Sequence, residues 1–173
     1  MELKWMEEHR SLVEKLIKFG NSYAFVYNKQ KSYGTNEHFS ASQIQTLEYI
    51  LEAENSDETM SQMAARLGVS KATFSKNVKS LMEKGLLEKF YCNSNRKNIY
   101  VKPTLKGRET YEQYTNYVYN IVFKHLFDIA NKISSEDIEK FKEMLEVFSE
   151  RMIWLLNKSD DDEMSEKIFT KIE

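Results

Sequence analysis

The residues in this 173-residue chain best placed to do chemistry are cations. Between positions 66 and 108 stand Arg66, Lys71, Lys76, Lys79, Lys84, Lys89, Arg96, Lys97, Lys102, Lys106 and Arg108, opposed by Glu83 and Glu88 alone. That segment carries +9 and the remainder −11, which leaves the net −2 of the whole chain. A block of one sign this dense attracts polyanions and steers their approach, whereas a solvated face intersperses both signs. Among the lysines lie Ser70, Ala72, Thr73, Ser75 and Asn77, small or polar residues of the kind that meets base edges and phosphates.

Other chemistries lack their residues. The sequence has no HExxH, no glycine-rich phosphate loop, no Cys/His metal spacing and no serine nucleophile elbow. His9, His38 and His125 are scattered, and the helical neighbours of His125 are Ile121 and Ile129, so it is read as structural. Glu136, Asp137, Glu139 and Glu143 share the polar side of a helical stretch and read as solvated. No enzymatic activity, cofactor or metal is expected. Cys92 is the one cysteine, so no internal disulfide forms, and its place in a basic hairpin does not by itself make it a redox sensor.

The elements that must position the cations emerge from periodicity. Residues 5–31 repeat apolar side chains at three- and four-residue steps, a long amphipathic helix that Gly20 interrupts. After a turn-forming stretch at 32–40, Ser40 or Ser42 caps a second helix carrying Ile44, Leu47, Ile50 and Leu51. A short helix at 59–67 presents Met60, Met63, Ala64 and Leu67 on one side. Gly68 then takes a left-handed turn, Val69 plugs it, and Ser70 caps a helix over 71–84 that buries Phe74, Val78 and Leu81. Gly85 ends that helix. Residues 86–92 and 98–102 read as strands of a hairpin whose tip is 93–97. Pro103 closes it, and Thr104 caps a helix over 105–132 with a stripe of Tyr111, Tyr114, Val118, Ile121, His125 and Ile129. Ser134 caps the last helix, whose Ile138, Phe141, Leu145, Phe148, Met152 and Leu155 step alternately by three and four residues. That is a heptad seam, and it requires a partner helix.

Helix, glycine turn, helix and basic hairpin is the order that reads duplex DNA. The helix at 59–67 braces the one at 71–84, whose free face enters the major groove. The hairpin then reaches the adjacent minor groove, whose negative potential draws in an arginine or lysine, here Arg96 or Lys97.

Three segments carry a resemblance to the MarR-type winged-helix transcription regulators. They are residues 63–76, Met-Ala-Ala-Arg-Leu-Gly-Val-Ser-Lys-Ala-Thr-Phe-Ser-Lys, then 81–87, Leu-Met-Glu-Lys-Gly-Leu-Leu, and 101–107, Val-Lys-Pro-Thr-Leu-Lys-Gly. With the flanking helices the resemblance covers roughly residues 5–157. The family's Asp-x-Arg in the wing is replaced here by Asn95 and Lys97, which keeps a cation but loses the acidic brace. The resemblance implies a mainly α fold with a small β-hairpin wing, one winged helix-turn-helix DNA-binding lobe (40–104) and dimerisation helices at 1–39 and 105–157. The stretch 158–173 is an acidic tail. It implies a homodimer reading a pseudo-palindromic operator through Ser70, Lys71, Ala72, Thr73, Ser75, Lys76, Lys79, Asn95, Arg96 and Lys97. It also implies a small aromatic effector near Tyr23, Tyr27, Phe39, Tyr111 and Tyr114, although an aromatic stripe at helical spacing is read first as core.

Few glycines and a single proline disfavour a sandwich or barrel, and no apolar run is long enough to span a membrane. The acidic, amphipathic start is unlike a secretory signal, so a cytoplasmic repressor is expected. The alternative is a winged helix whose basic patch recognises an acidic protein, without sequence-specific DNA binding.

Overall fold

The computed structural model describes residues 6–56, 58–92 and 95–157, with the backbone alone at 91, 92, 95–99, 156 and 157. The chain forms two compact units, Met1–Ile121 and Val122–Glu173. The first holds α1 (Arg10–Tyr27), α2 (Ala41–Glu52), α3 (Met60–Arg66), α4 (Lys71–Glu83), the strands β1 (Leu87–Cys92) and β2 (Asn95–Pro103), and α5 (Leu105–Val118). The second holds α6 (Lys124–Ala130) and α7 (Ser135–Asn157), and a π turn, Tyr119–Phe123, straddles the boundary. The acidic tail expected at 158–173 lies outside the described residues.

Local signals start the helices. The Ser40 hydroxyl accepts the Gln43 amide while the Gln43 side chain accepts the Ser40 amide, and Thr59 with Gln62 repeats this reciprocal cap on α3. Ser70 accepts the amide of Thr73, Thr104 that of Gly107 and Ser134 that of Asp137. Each such cap satisfies an amide that has no partner within its helix and contributes about 1 kcal/mol. Gly68, at φ 72°, makes the left-handed turn between α3 and α4 that a side chain would strain.

The core of the first unit joins Ile44, Leu47 and Ile50 of α2 to Met63 and Ala64 of α3 and to Phe74, Val78 and Leu81 of α4, closed by Phe39, Leu86 and Leu87. Each large side chain here contributes about 1.5–3 kcal/mol through removal from water. The first turn of α5 is pressed onto this assembly. A Cβ added at Gly107 would stand 2.1 Å from the Leu86 carbonyl oxygen, so only glycine permits the approach.

The structure departs from the sequence expectation at five places. α1 runs unbroken through Gly20, where nothing stands within 4 Å of an added Cβ, and none of its residues is buried. Val69 is half-buried rather than fully enclosed. The hairpin tip is shorter than 93–97, because β2 already begins at Asn95. The helix expected over 105–132 is broken by the π turn, which widens the hydrogen-bond ladder and shifts the phase of the residues beyond it. Asn77 is buried on the core side of α4.

In the second unit Phe123 and Phe127 stack at 5.6 Å, and α7 carries the heptad stripe. Its Phe141, Phe148, Met152 and Leu155 remain 44–55% exposed. No helix among the described residues is long and apolar enough to cross a membrane.

Candidate nucleic-acid interface

The α4 helix is held by one face. Phe74, Val78 and Leu81 enter the core, and the buried Asn77 completes the same face at i, i+3, i+4 and i+7. The Asn77 Nδ2 stands 3.1 Å from the Ser42 carbonyl, 2.8 Å from the Ser42 hydroxyl and 3.0 Å from the Thr46 hydroxyl, all on α2. Gln43 Nε2 adds a hydrogen bond to Ser80 Oγ at 2.9 Å. Asn77 is therefore a fastener between helices and does not belong with the groove-facing residues. Among the described residues no buried side-chain polar atom lacks a partner.

The opposite face of α4 is open. Lys71, Ala72, Ser75, Lys76 and Lys79 are exposed, and Thr73 is half-buried beside them. Ser70 is exposed too, but its hydroxyl is engaged, accepting the Thr73 amide at 3.1 Å and sharing a hydrogen bond with the Thr73 hydroxyl. Among the described residues no carboxylate pairs with Lys71, Lys76 or Lys79, so their charges face solvent uncompensated.

Three other cations of the basic block, although exposed, are paired with carboxylates of the same chain. Arg66 pairs with Glu52 at 2.9 Å and Glu58 at 3.5 Å, and lies over the Tyr49 ring at 4.3 Å. Arg108 grips Glu54, whose carboxyl it holds below the usual carboxylate range chiefly by hydrogen bonding. Lys106 pairs with Glu37 at 2.6 Å. None of these carboxylates was marked by the sequence, because Glu37, Glu54 and Glu58 lie in turn-rich stretches and Glu52 ends α2, places where acids read as solubility. Among the described residues the uncompensated charge is thus concentrated on α4 more sharply than the count of +9 implied.

β1 and β2 pair antiparallel, from Leu87 opposite Pro103 to Tyr91 opposite Ile99, and Cys92 then pairs with Asn95. Arg96, Lys97 and Asn98 fall in the register shift between those last two pairs. Asn95, Arg96 and Lys97 thus belong to β2 by backbone, and their side chains, like that of Cys92, lie outside the described residues. Lower on the wing, Phe90 and Tyr100 are opposite one another and exposed, with the Lys102 ammonium 5.9 Å from the Phe90 ring centre.

The aromatic residues divide. Phe39 is fully buried, stacked on Tyr33 at 5.8 Å and edge-on to Tyr114 at 6.0 Å, so it is core. Tyr111 and Tyr114 are half-buried, and Tyr23 accepts a hydrogen bond from Gln45 Nε2 at 2.6 Å while packing on Tyr27. Glu48 of α2 faces this group. Burial raises its carboxyl pKa against a hydrogen bond from Tyr111, and burial, reinforced by the Glu48 charge, pushes Tyr114 up to about 12. No group of three His, Cys, Asp or Glu suited to a metal occurs among the described residues.

Two helices joined by a glycine turn, a free basic face on the second and a hairpin after it define a winged helix-turn-helix. Residues 39–89, which hold α2, α3, α4 and the first residues of β1, match the MarR family. The chain is 33% identical over 96 residues to the HTH-type transcriptional regulator TcaR of Staphylococcus aureus. That match covers 54% of this chain and 61% of TcaR, so it spans about three fifths of the relative's length. Among solved structures, the transcriptional regulator BldR from Sulfolobus solfataricus superposes with a TM-score of 0.60 at 21% identity, over 84% of this chain and 99% of BldR. Streptococcus pneumoniae FabT, solved in complex with DNA, superposes with a TM-score of 0.58 at 21% identity, over 86% of this chain and 99% of FabT. The fold is that of the MarR-type winged-helix regulators.

Proposed function

We propose that this chain is a cytoplasmic transcription regulator that binds double-stranded DNA as a homodimer. α4 enters the major groove, with Lys71, Lys76 and Lys79 on phosphates and Ser70, Ala72, Thr73 and Ser75 against base edges or backbone. Asn95, Arg96 and Lys97 on the wing reach the neighbouring minor groove. The single observation that carries this is the open face of α4, where three unpaired lysines flank small polar side chains while neighbouring cations are neutralised. FabT, solved on DNA with the same fold, supports the placement.

The winged-helix lobe at 40–104 is the DNA-reading part, and the helices at 1–39 and 105–157 supply the dimer contact. The exposed apolar residues of α1 and α7 support this, since isolated they would face water. The two α4 helices then address half-sites about one helical turn apart. The outcome at the operator is repression, relieved by a small aromatic effector near Tyr23, Tyr27, Tyr111 and Tyr114.

Titrating DNA from upstream of its own gene tests the proposal. With about 6–10 phosphate contacts per dimer, affinity is expected to fall about 10³–10⁵-fold between 50 and 200 mM salt. Lys76→Ala should weaken binding about tenfold or more and flatten the log–log salt slope by about two per dimer. Weak binding without sequence preference would instead favour a protein-interaction module recognising an acidic partner.

A further inference from the structure

The C-terminal end of α4 is closed by the first turn of α5. A helix leaves its last carbonyls without internal partners and its end partially negative, so donors and cations settle there. Lys84 is the residue that caps α4, and its carbonyl accepts a hydrogen bond from Lys106 Nζ at 2.8 Å. The next carbonyl, of Gly85, accepts the Thr104 hydroxyl at 2.7 Å, and that of Leu86 accepts the Thr104 amide at 3.1 Å. Three successive carbonyls, that of the α4 C-cap and the two that follow it, are thus taken by residues of a helix start. The ammonium of Lys106 does not float. Glu37, in the loop before α2, pairs with it at 2.6 Å, so one side chain ties together the end of α4, the start of α5 and the loop at 28–40.

A lysine inside the basic block would ordinarily be counted as a phosphate ligand. Lys106 already has a carboxylate and a carbonyl, and these two partners hold its half-exposed ammonium at the end of α4. We propose that Lys106, held by Glu37, is a positioning residue for DNA binding: it fixes the far end of the recognition helix and contacts no phosphate. The inference rests on the DNA-binding role proposed above, and deepens it by assigning the orientation of α4 to a pair of residues outside the groove.

The charge of Glu37 separates the possibilities. Neutralising a carboxylate on a protein that docks on a polyanion strengthens binding if only net charge matters. If Glu37 instead holds Lys106 in place, Glu37→Gln weakens binding, about twofold to fivefold by the usual size of such helix-end contacts. Lys106→Met is expected to weaken binding by a similar factor with the wild-type salt slope, because no phosphate contact is lost, and Lys106→Arg to restore it. In the DNA-free protein, the Gly85 and Leu86 amides, which bond back to Met82 and Leu81, should exchange faster with solvent deuterium in Glu37→Gln. Tighter or unchanged binding by Glu37→Gln, a flatter salt slope for Lys106→Met, or unchanged amide exchange would each overturn the proposal. Wild-type protein that ignored operator DNA would remove the DNA-binding role, while amide exchange would still decide whether the pair holds the end of α4.

Discussion

Asn77 shows how residue type and residue spacing compete as signals. An amide beside Lys76 and Lys79 suggests the groove-facing side, yet its spacing from Phe74, Val78 and Leu81 places it on the core face. Spacing wins because Ser42 and Thr46, one turn apart on α2, supply the acceptors that make burial tolerable. Asn77→Ala should therefore destabilise the fold by about 1–3 kcal/mol in urea denaturation, since two buried hydroxyls lose their donor. A change below about 0.5 kcal/mol would show that the amide is dispensable. The lysines are easier to read. Lys76 and Lys79 lie across the helix from the apolar stripe, so their exposure is dictated by the helix alone, whereas Lys71 shares the phase of Val78 and is exposed because it is the first residue of α4. Arg66, Lys106 and Arg108 cannot be separated from them by sequence, because their partners lie 14, 69 and 54 residues away in the chain.

At the scale of elements, local features are the legible ones. The caps at Ser40, Ser70, Thr104 and Ser134 and the turn at Gly68 are each decided within about four residues, and the structure has them all. The shorter wing tip and the π turn are not legible, because strand register and ladder width depend on neighbours rather than on composition. The contact of α2 with α5 has a measurable consequence in Glu48. A carboxyl raised by burial holds its proton more tightly in the folded than in the unfolded chain. Its contribution is complete below the ordinary carboxyl value and is lost as pH rises through the raised one, leaving a cost at neutral pH. Glu48→Gln, which keeps an acceptor for Tyr111, is thus expected to raise the melting temperature at pH 7 and to change it little below about pH 4. A gain that did not depend on pH would contradict this.

For the whole molecule, the distribution of apolar surface matters as much as that of charge. Stripe residues on α7 stand about half-exposed, and α1 has no fully buried residue. If these faces meet in the proposed homodimer, Phe148→Glu should shift the protein to monomer in sedimentation and weaken operator binding, since one lobe alone reads one half-site. It should also abolish any dependence of the melting temperature on protein concentration. A dimer that survived the substitution would move the interface elsewhere. The π turn at Tyr119–Phe123 lies where the two compact units join. Its wider turn accommodates one residue more than an α-helical turn would, so in terms of descent it has the form of a single inserted residue. Related helices without it will align to this one only across a gap of one position, and heptads counted straight through 119–123 will compare residues that never shared a face.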